Sequence, residues 1–381
     1  FDFVDQIVVA DRNGEAAAAF SEECGPKATH QEIDVQDYSK LVGLLKGADV
    51  VLADVGPYYK FGMPVLRAAI ETGCHYIDIN DDWEPTLEML DLDEEARKAG
   101  ITALIGMGAS PGQSSMLASK AISLLDSVDT LITGWGAGGG GRRRRQTSSE
   151  GSTQPQTSRP RRTASAATVH WLHQLTGKIR VRQNGQFIDV PPIQEIEIDY
   201  PDIGLGKAYT VGHPEPLTLP RYHTGIKNSC NVMVITESYV NFLKEFAAEV
   251  DAGRMTVDEA ADALTNPPES QRERLIQEEP EDLERPRLPG LFAYARGLKD
   301  NRPTAVGVTV SAGVGGGMGG ATGVPQAIGL KMLAEGRITR TGVFAPEADV
   351  DPDEFFDELG PRCATPRANA KDMLIISRSS D

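Results

Sequence analysis

Residues 47–81 read GADVVLADVGPYYKFGMPVLRAAIETGCHYIDIND, and their pattern decides the fold. Asp49 to Ala53 is a short, continuous apolar run, the mark of a strand buried on both faces. Phe61 to Thr72 has helical spacing and is closed by Gly73, the residue that most readily turns left-handed after a last helical turn. His75 to Ile79 reads as a second strand. Strand, helix and strand in this order form a right-handed crossover unit, the element from which parallel sheets are built. The same alternation extends outward. Upstream, Ile7 to Ala10 is apolar and ends in Asp11, Gly14 to Cys24 is Ala-rich and helical, Ala28 to Asp34 is a short strand, and Ser39 to Lys46 a helix. Downstream, Glu84 to Lys98 reads as a helix ended by Gly100, and Ile101 to Ile105 as a strand. Five strands alternating with four helices predict an α/β architecture, a doubly wound parallel sheet of the Rossmann type.

The 381 residues suffice for two packed units. No run approaches the ~18 apolar residues of a membrane span, and no signal peptide is expected. A net charge of −17 argues against a nucleic-acid partner. Cys24, Cys74, Cys230 and Cys363 stand far apart without a CxxC pair, which points away from zinc ribbons and disulfide scaffolds and toward a reducing cytoplasm. No metal site is expected, because no pair of histidines has a third ligand at metal spacing.

Residues 138–162 are Gly, Arg, Ser, Thr, Pro and Gln with an arginine block at Arg142 to Arg145. Such a composition cannot bury enough surface to order itself and predicts a disordered basic insertion; the alternative is an arm for an acidic partner. Beyond it, Ile179 to Arg182 and Phe187 to Val190 flank Asn184-Gly185, a strong hairpin signal. Further strands and helices describe an α+β domain. The expected organisation is therefore a Rossmann domain over 1–115, an α+β substrate and dimerisation domain over 116–321, and a segment over 322–381 returning to the first domain.

Asp11, at a strand end, is placed to accept the ribose hydroxyls of an adenosine, while Arg12 beside it suits a 2′-phosphate. NAD and NADP both stay open. A glycine loop belongs roughly 20 residues before such an acidic residue, but only ten residues precede Asp11; the first strand and its phosphate cradle are expected to be missing. Gly315, Gly317 and Gly320 match GxGxxG but lack the following βαβ repeats, and read as a glycine turn. Three strand tips form one expected crevice: Val55-Gly56-Pro57-Tyr58, Asp78, and the loop from Gly108 to Gly112. In the last of these, Pro111 is expected near the first position of a helix, leaving free N–H groups. In the second domain His213, Arg221 and Tyr222 lie on a stretch expected to be irregular. Arg221 is the candidate clamp for a substrate carboxylate. Asp78, His213 and Tyr222 are alternative proton carriers. His170 and His173 are read as packing residues.

The segments VGPYYKFGMPVLRAAIETGCHYIDINDD (55–82), GMGASPGQSSMLA (106–118) and ATGVPQAIGLKMLAEGRI (321–338), with GVFAPE and VDPDEFFDEL after them, resemble the saccharopine dehydrogenase family. The resemblance implies NAD or NADP as cofactor, a homodimer, and oxidoreduction at a C–N bond of an amino-acid, opine or polyamine-type substrate. It implies that Asp11, Val55, Gly56, Pro57 and Pro111 line the cofactor and that Asp78 lies near the substrate amine. Arg12, Asp34, Val35 and Gly112 are counted with the cofactor residues, and Tyr58 with the substrate. The Rossmann fold also hosts reductases of C–OH or C=C bonds and non-catalytic NADP sensors, so these stand as alternatives.

Overall fold

The structure, a computed structural model, describes residues 2–136, 164–268 and 286–380. The predicted basic insertion lies outside the described residues. In chain order the first elements are β1 (Ile7–Asp11), α1 (Gly14–Cys24), β2 (Ala28–Glu32), α2 (Tyr38–Leu45), β3 (Val50–Ala53), α3 (Tyr58–Thr72), β4 (His75–Asp78), α4 (Trp83–Leu90), α5 (Asp93–Ala99), β5 (Thr102–Leu104) and α6 (Gln113–Ser123). Local chemistry sets the boundaries. The side chains of Asn13 and Asp37 accept the N–H groups of Ala16 and Lys40 at the starts of α1 and α2. Gly73 and Gly100 end α3 and α5 in the left-handed conformation. The single helix expected over 84–98 is two helices. Asp93, Glu94 and Glu95 crowd one turn, and acidic side chains there favour a new helix start over a helix interior.

The chain then builds β6 (Ser127–Gly136), α7 (Ala166–His173), β7 (Ile179–Gln183), β8 (Gln186–Val190), β9 (Glu195–Tyr200), β10 (Gly204–Val211), α8 (Glu215–Tyr222), β11 (Asn228–Val234), α9 (Glu237–Asp251), α10 (Val257–Thr265), β12 (Leu291–Lys299) and β13 (Arg302–Val310). It closes with α11 (Gly317–Ala334), β14 (Gly342–Phe344), α12 (Pro352–Leu359), α13 (Ala370–Met373) and β15 (Leu374–Ser380). Two compact units result. One runs to Met116 and resumes over Ala312–Ala370; the other comprises Leu117–Ser311 and the tail from Lys371. Among the described residues no helix is long and apolar enough to cross a membrane.

The first unit is a parallel α/β structure. Its sheet has the order β14-β5-β4-β3, all parallel. Its core collects Leu66, Ala69, Tyr76, Ala103, Ile105 and Val343. Full burial of a side chain such as Leu66 contributes roughly 2 kcal/mol over leaving it in water. The expected five strands do not form one sheet: β1 and β2 pair in parallel as a separate two-stranded piece. A doubly wound order interposes one more strand between β1 and β3, so the two have no reason to bond each other.

The second unit holds a mixed sheet ordered β15-β13-β12-β6-β11-β10-β9, with the β7–β8 hairpin joined to β11. Asn184 and Gly185 both have positive φ, as the sequence requires of that hairpin. Three expectations change. The C-terminal strand β15 does not join the Rossmann unit but pairs antiparallel with β13, from Thr304↔Ser380 to Val310↔Leu374, covering what would be an open edge. The glycine tract is not a separate turn. Gly316 caps α11, which starts at Gly317, well ahead of the position expected from Pro325. The third change is α8. Its prolines suggested a loop, yet Pro214 and Pro216 sit at the start, where no N–H is needed, and burial from Glu215 to Pro220 outweighs the cost of Pro220.

Candidate active site

In the first unit the ends of β1 and β2 frame a cavity of about 720 Å³, whose wall includes Arg12, Asn13, Gly14, Glu32, Asp34 and Lys40. Parallel register brings Asp11 opposite Glu32, and so brings Asp11, Arg12 and Asp34 to one strand edge. Asp11 Oδ1 accepts the Asn13 N–H at 2.8 Å and Asp34 Oδ1 accepts the Gln36 N–H at 2.9 Å, each carboxylate being steadied by its own turn. The volume suits an adenosine half. Acidic Asp11, beside the cavity, fits ribose hydroxyls and Arg12 on its wall fits a phosphate, while Lys40 is paired with Asp37 at 2.8 Å. These residues therefore fit a dinucleotide. Val35 and Val55, predicted to touch it, are partly buried, with part of each side chain packed against the core. If Arg12 meets a 2′-phosphate, Arg12→Ala should weaken NADPH about tenfold and leave NADH within about twofold, the value of a charge-assisted hydrogen bond. Fluorescence titration with both nucleotides measures this, and an unchanged ratio would clear Arg12 of the role.

Asp78 ends β4 and is wholly enclosed. Oδ1 accepts the N–H groups of Gly106 (2.6 Å) and Asn80 (3.0 Å), and Oδ2 accepts the Tyr76 hydroxyl (2.8 Å). Burial pushes its carboxyl up to about 7, against the lowering pull of the Gly106, Tyr76 and Asn80 hydrogen bonds. Asp54, just past the end of β3, accepts a hydrogen bond from Gln326 Nε2 at 2.8 Å. Tyr58 opens α3 after the cis Gly56-Pro57 bond and donates its hydroxyl to the Ala53 carbonyl at 2.6 Å. Sequence patterns missed Tyr76, Asp54 and Gln326. Tyr76 and Asp54 look like strand residues, and Gln326 is hidden in an apolar helix more than 200 residues away in sequence.

The loop from Gly108 to Gly112 is closed on itself. Gly108 N–H donates to Pro111 O, and the first amides of α6, on Gln113 and Ser114, donate to Gly108 and Ala109 carbonyls at 2.9 and 3.1 Å. The helix begins at Gln113, so Pro111, cis and buried, is not at its first position, and the N–H groups expected to be free are used inside the loop.

In the second unit the productive cluster lies at the start of α8. His213 Nδ1 is 3.0 Å from Glu215 Oε2, with both side chains at most 3% exposed. Asn231 on β11 donates Nδ2 to Glu215 Oε1 (3.1 Å) and to Thr133 Oγ1 (2.9 Å). Trp135 on β6 donates Nε1 to Asn231 Oδ1 (3.0 Å), and its ring lies 5.8 Å from that of His213. Among the described residues His213 Nε2 makes no hydrogen bond. Arg221 and Tyr222 end the same helix, Arg221 exposed and Tyr222 half-buried. Glu215 stands in the sequence beside His213 with nothing to give it a role, and Asn231 is hidden in a strand.

Residues 1–104 match the saccharopine dehydrogenase NADP binding domain, and residues 108–363 the saccharopine dehydrogenase C-terminal domain. The chain belongs to the saccharopine dehydrogenase family. Membership makes it an NAD(P)-dependent dehydrogenase with a Rossmann-type nucleotide-binding unit. Among relatives in this family, a carboxyaminopropylagmatine dehydrogenase of Synechocystis sp. is 25% identical over 94% of this chain and 89% of its own length. Apo saccharopine dehydrogenase (L-Glu forming) of Saccharomyces cerevisiae shares the fold, with a TM-score of 0.62 at 18% identity over 98% of this chain and 94% of that one. A trans-acting enoyl reductase of Mycobacterium ulcerans is 27% identical over 27% of this chain and 26% of its own length.

Proposed function

We propose that the chain forms or cleaves the C–N bond of an amino-acid, opine or polyamine-type secondary amine, with His213 as its proton carrier. One observation supports the choice of carrier: a buried imidazole, backed by a buried carboxylate, with Nε2 bonded to nothing among the described residues. The end-to-end similarity to a dehydrogenase named for a carboxyaminopropyl-substituted agmatine supports the substrate class.

When bound, the nicotinamide accepts or returns the hydride. The remaining work falls to the chain. In the cleaving direction the substrate nitrogen gives up its N–H proton as the adjacent carbon loses a hydride, leaving an imine; water then adds and the C–N bond parts into a carbonyl compound and an amine. Nε2 of a neutral imidazole takes the proton, and the Glu215 carboxylate steadies the resulting cation. Asp78 has all its oxygens engaged by Gly106, Asn80 and Tyr76, so in this reading it holds the strand tip rather than moving a proton. Arg221, exposed at the end of α8, is retained as the carboxylate clamp of the same reading. A homodimer and a cytoplasmic setting complete it, the first resting on the family resemblance, the second on four free cysteines.

Reduction of a C=C bond is less well supported, because similarity to the enoyl reductase spans only 27% of the chain. The test is NADPH oxidation with a matrix of oxo acids or aldehydes against primary amines, with products weighed by mass spectrometry. The expected product is one secondary amine per NADPH consumed. Turnover with enones but no amine pair would overturn the reading in favour of a C=C reductase, and binding without any turnover in favour of a sensor.

A further inference from the structure

The hydrogen bonds around His213 run in one direction, and that direction can be derived atom by atom. An indole N–H only donates. Trp135 Nε1 therefore requires an oxygen from Asn231, which fixes the amide with Oδ1 toward Trp135 and Nδ2 toward Thr133 and Glu215. Asn231 and Thr133 are direct partners in the β11–β6 register, so the backbone sets this arrangement and not a mobile side chain. With Nδ2 donating to Oε1, the Glu215 carboxylate accepts on that side and has Oε2 left to accept from His213. An acceptor at Oε2 demands a proton on Nδ1. The other ring nitrogen, Nε2, is then a lone pair.

We infer that Glu215 is a positioning residue, oriented by Trp135 and Asn231, which locks His213 in the Nδ1–H tautomer so that Nε2 is the proton-carrying atom. The inference rests on the functional reading above for its catalytic consequence, but not for the tautomer itself. Every member of the relay lies within the second unit, and every polar atom in it faces a partner of the right sense except Nε2, which among the described residues faces none.

Two measurements decide this. Histidine-selective 15N labelling of the intact protein, with His213 assigned among the six histidines by a His213→Asn variant, reads the tautomer directly without cofactor or turnover. A proton on Nδ1 is expected. Glu215→Gln is the functional arm. Its Oε1 still accepts from Asn231, so its amide N–H₂ must face Nδ1, which becomes the acceptor and drives the proton to Nε2. The expected result is the opposite tautomer and a kcat lower on the order of 100-fold, with KM for NADPH within about twofold. Trp135→Phe, which frees Asn231 to rotate, should cost kcat about threefold to tenfold by the same route. A wild-type proton on Nε2 would overturn the lock while leaving the amine chemistry standing. A flipped tautomer in Glu215→Gln with kcat unchanged would overturn its catalytic role. If the wild type shows no amine chemistry at all, the functional reading fails, and the 15N spectrum still decides the lock.

Discussion

Asp78→Asn should make the protein more stable at pH 8 than the wild type, by up to about 4 kcal/mol, and the difference should vanish toward pH 4. Burial raises the Asp78 carboxyl from 3.8 in the open chain to about 7 in the folded one. A carboxyl raised on folding binds its proton more tightly in the native state. Its stabilising contribution is full below the unfolded value and is lost as pH rises through the folded one. The window is therefore about pH 4 to 7, and at roughly 1.4 kcal/mol per pH unit the loss approaches 4 kcal/mol. Asparagine sidesteps this loss and keeps the geometry: its oxygen accepts from Gly106 and Asn80, and its amide donates to the Tyr76 hydroxyl, as the protonated acid does. Urea denaturation of both proteins at half-unit steps from pH 4 to 8 measures it. Parallel stability curves would show that this carboxyl does not titrate in the window. Activity provides an independent check: turnover within about threefold is expected, whereas the loss of a general acid–base would be 100-fold or more.

The second large effect is expected at Gly112. Its φ is +112°, and a Cβ there would stand 2.1 Å from the Gly108 carbonyl oxygen and 2.4 Å from the Gly108 nitrogen. Both atoms are backbone, in a loop already bonded through Gly108 to Pro111 and Gln113, so nothing can swing aside. Gly112→Ala must open the loop or fail to form it, at a cost of about 4 kcal/mol or more. Chemical denaturation of the purified variant should show a loss of that order, or the variant should not accumulate as folded protein. Gly43→Ala, in the middle of α2 with nothing within 4 Å of its Cβ position, is the matched control and should be neutral or mildly stabilising. Equal behaviour of the two would show that the loop around Gly112 is not the closed one described.

The parallel unit was legible because its signals are local. Strands such as β3 are short apolar runs and helices such as α3 and α5 end at their own glycines, Gly73 and Gly100, so no distant residue is needed to place them. That Asp11 and Asp78 end their strands was legible for the same reason. What escaped depends on partners remote in sequence. Asp78 reads as a reactive tip, yet Gly106, from the next strand's end, bonds it. Glu215 reads as a loop residue between prolines until β6 and β11 bury it. The tail reads as part of the first domain until β13 offers it an edge.

The pair β1–β2 carries the wall of the cavity around Arg12, Asp34 and Lys40, and its two strands bond each other in parallel. The register Asp11↔Glu32 therefore sets how Arg12 and Asp34 stand to one another, and a slip of one residue between the strands would turn every side chain of one of them to the opposite face.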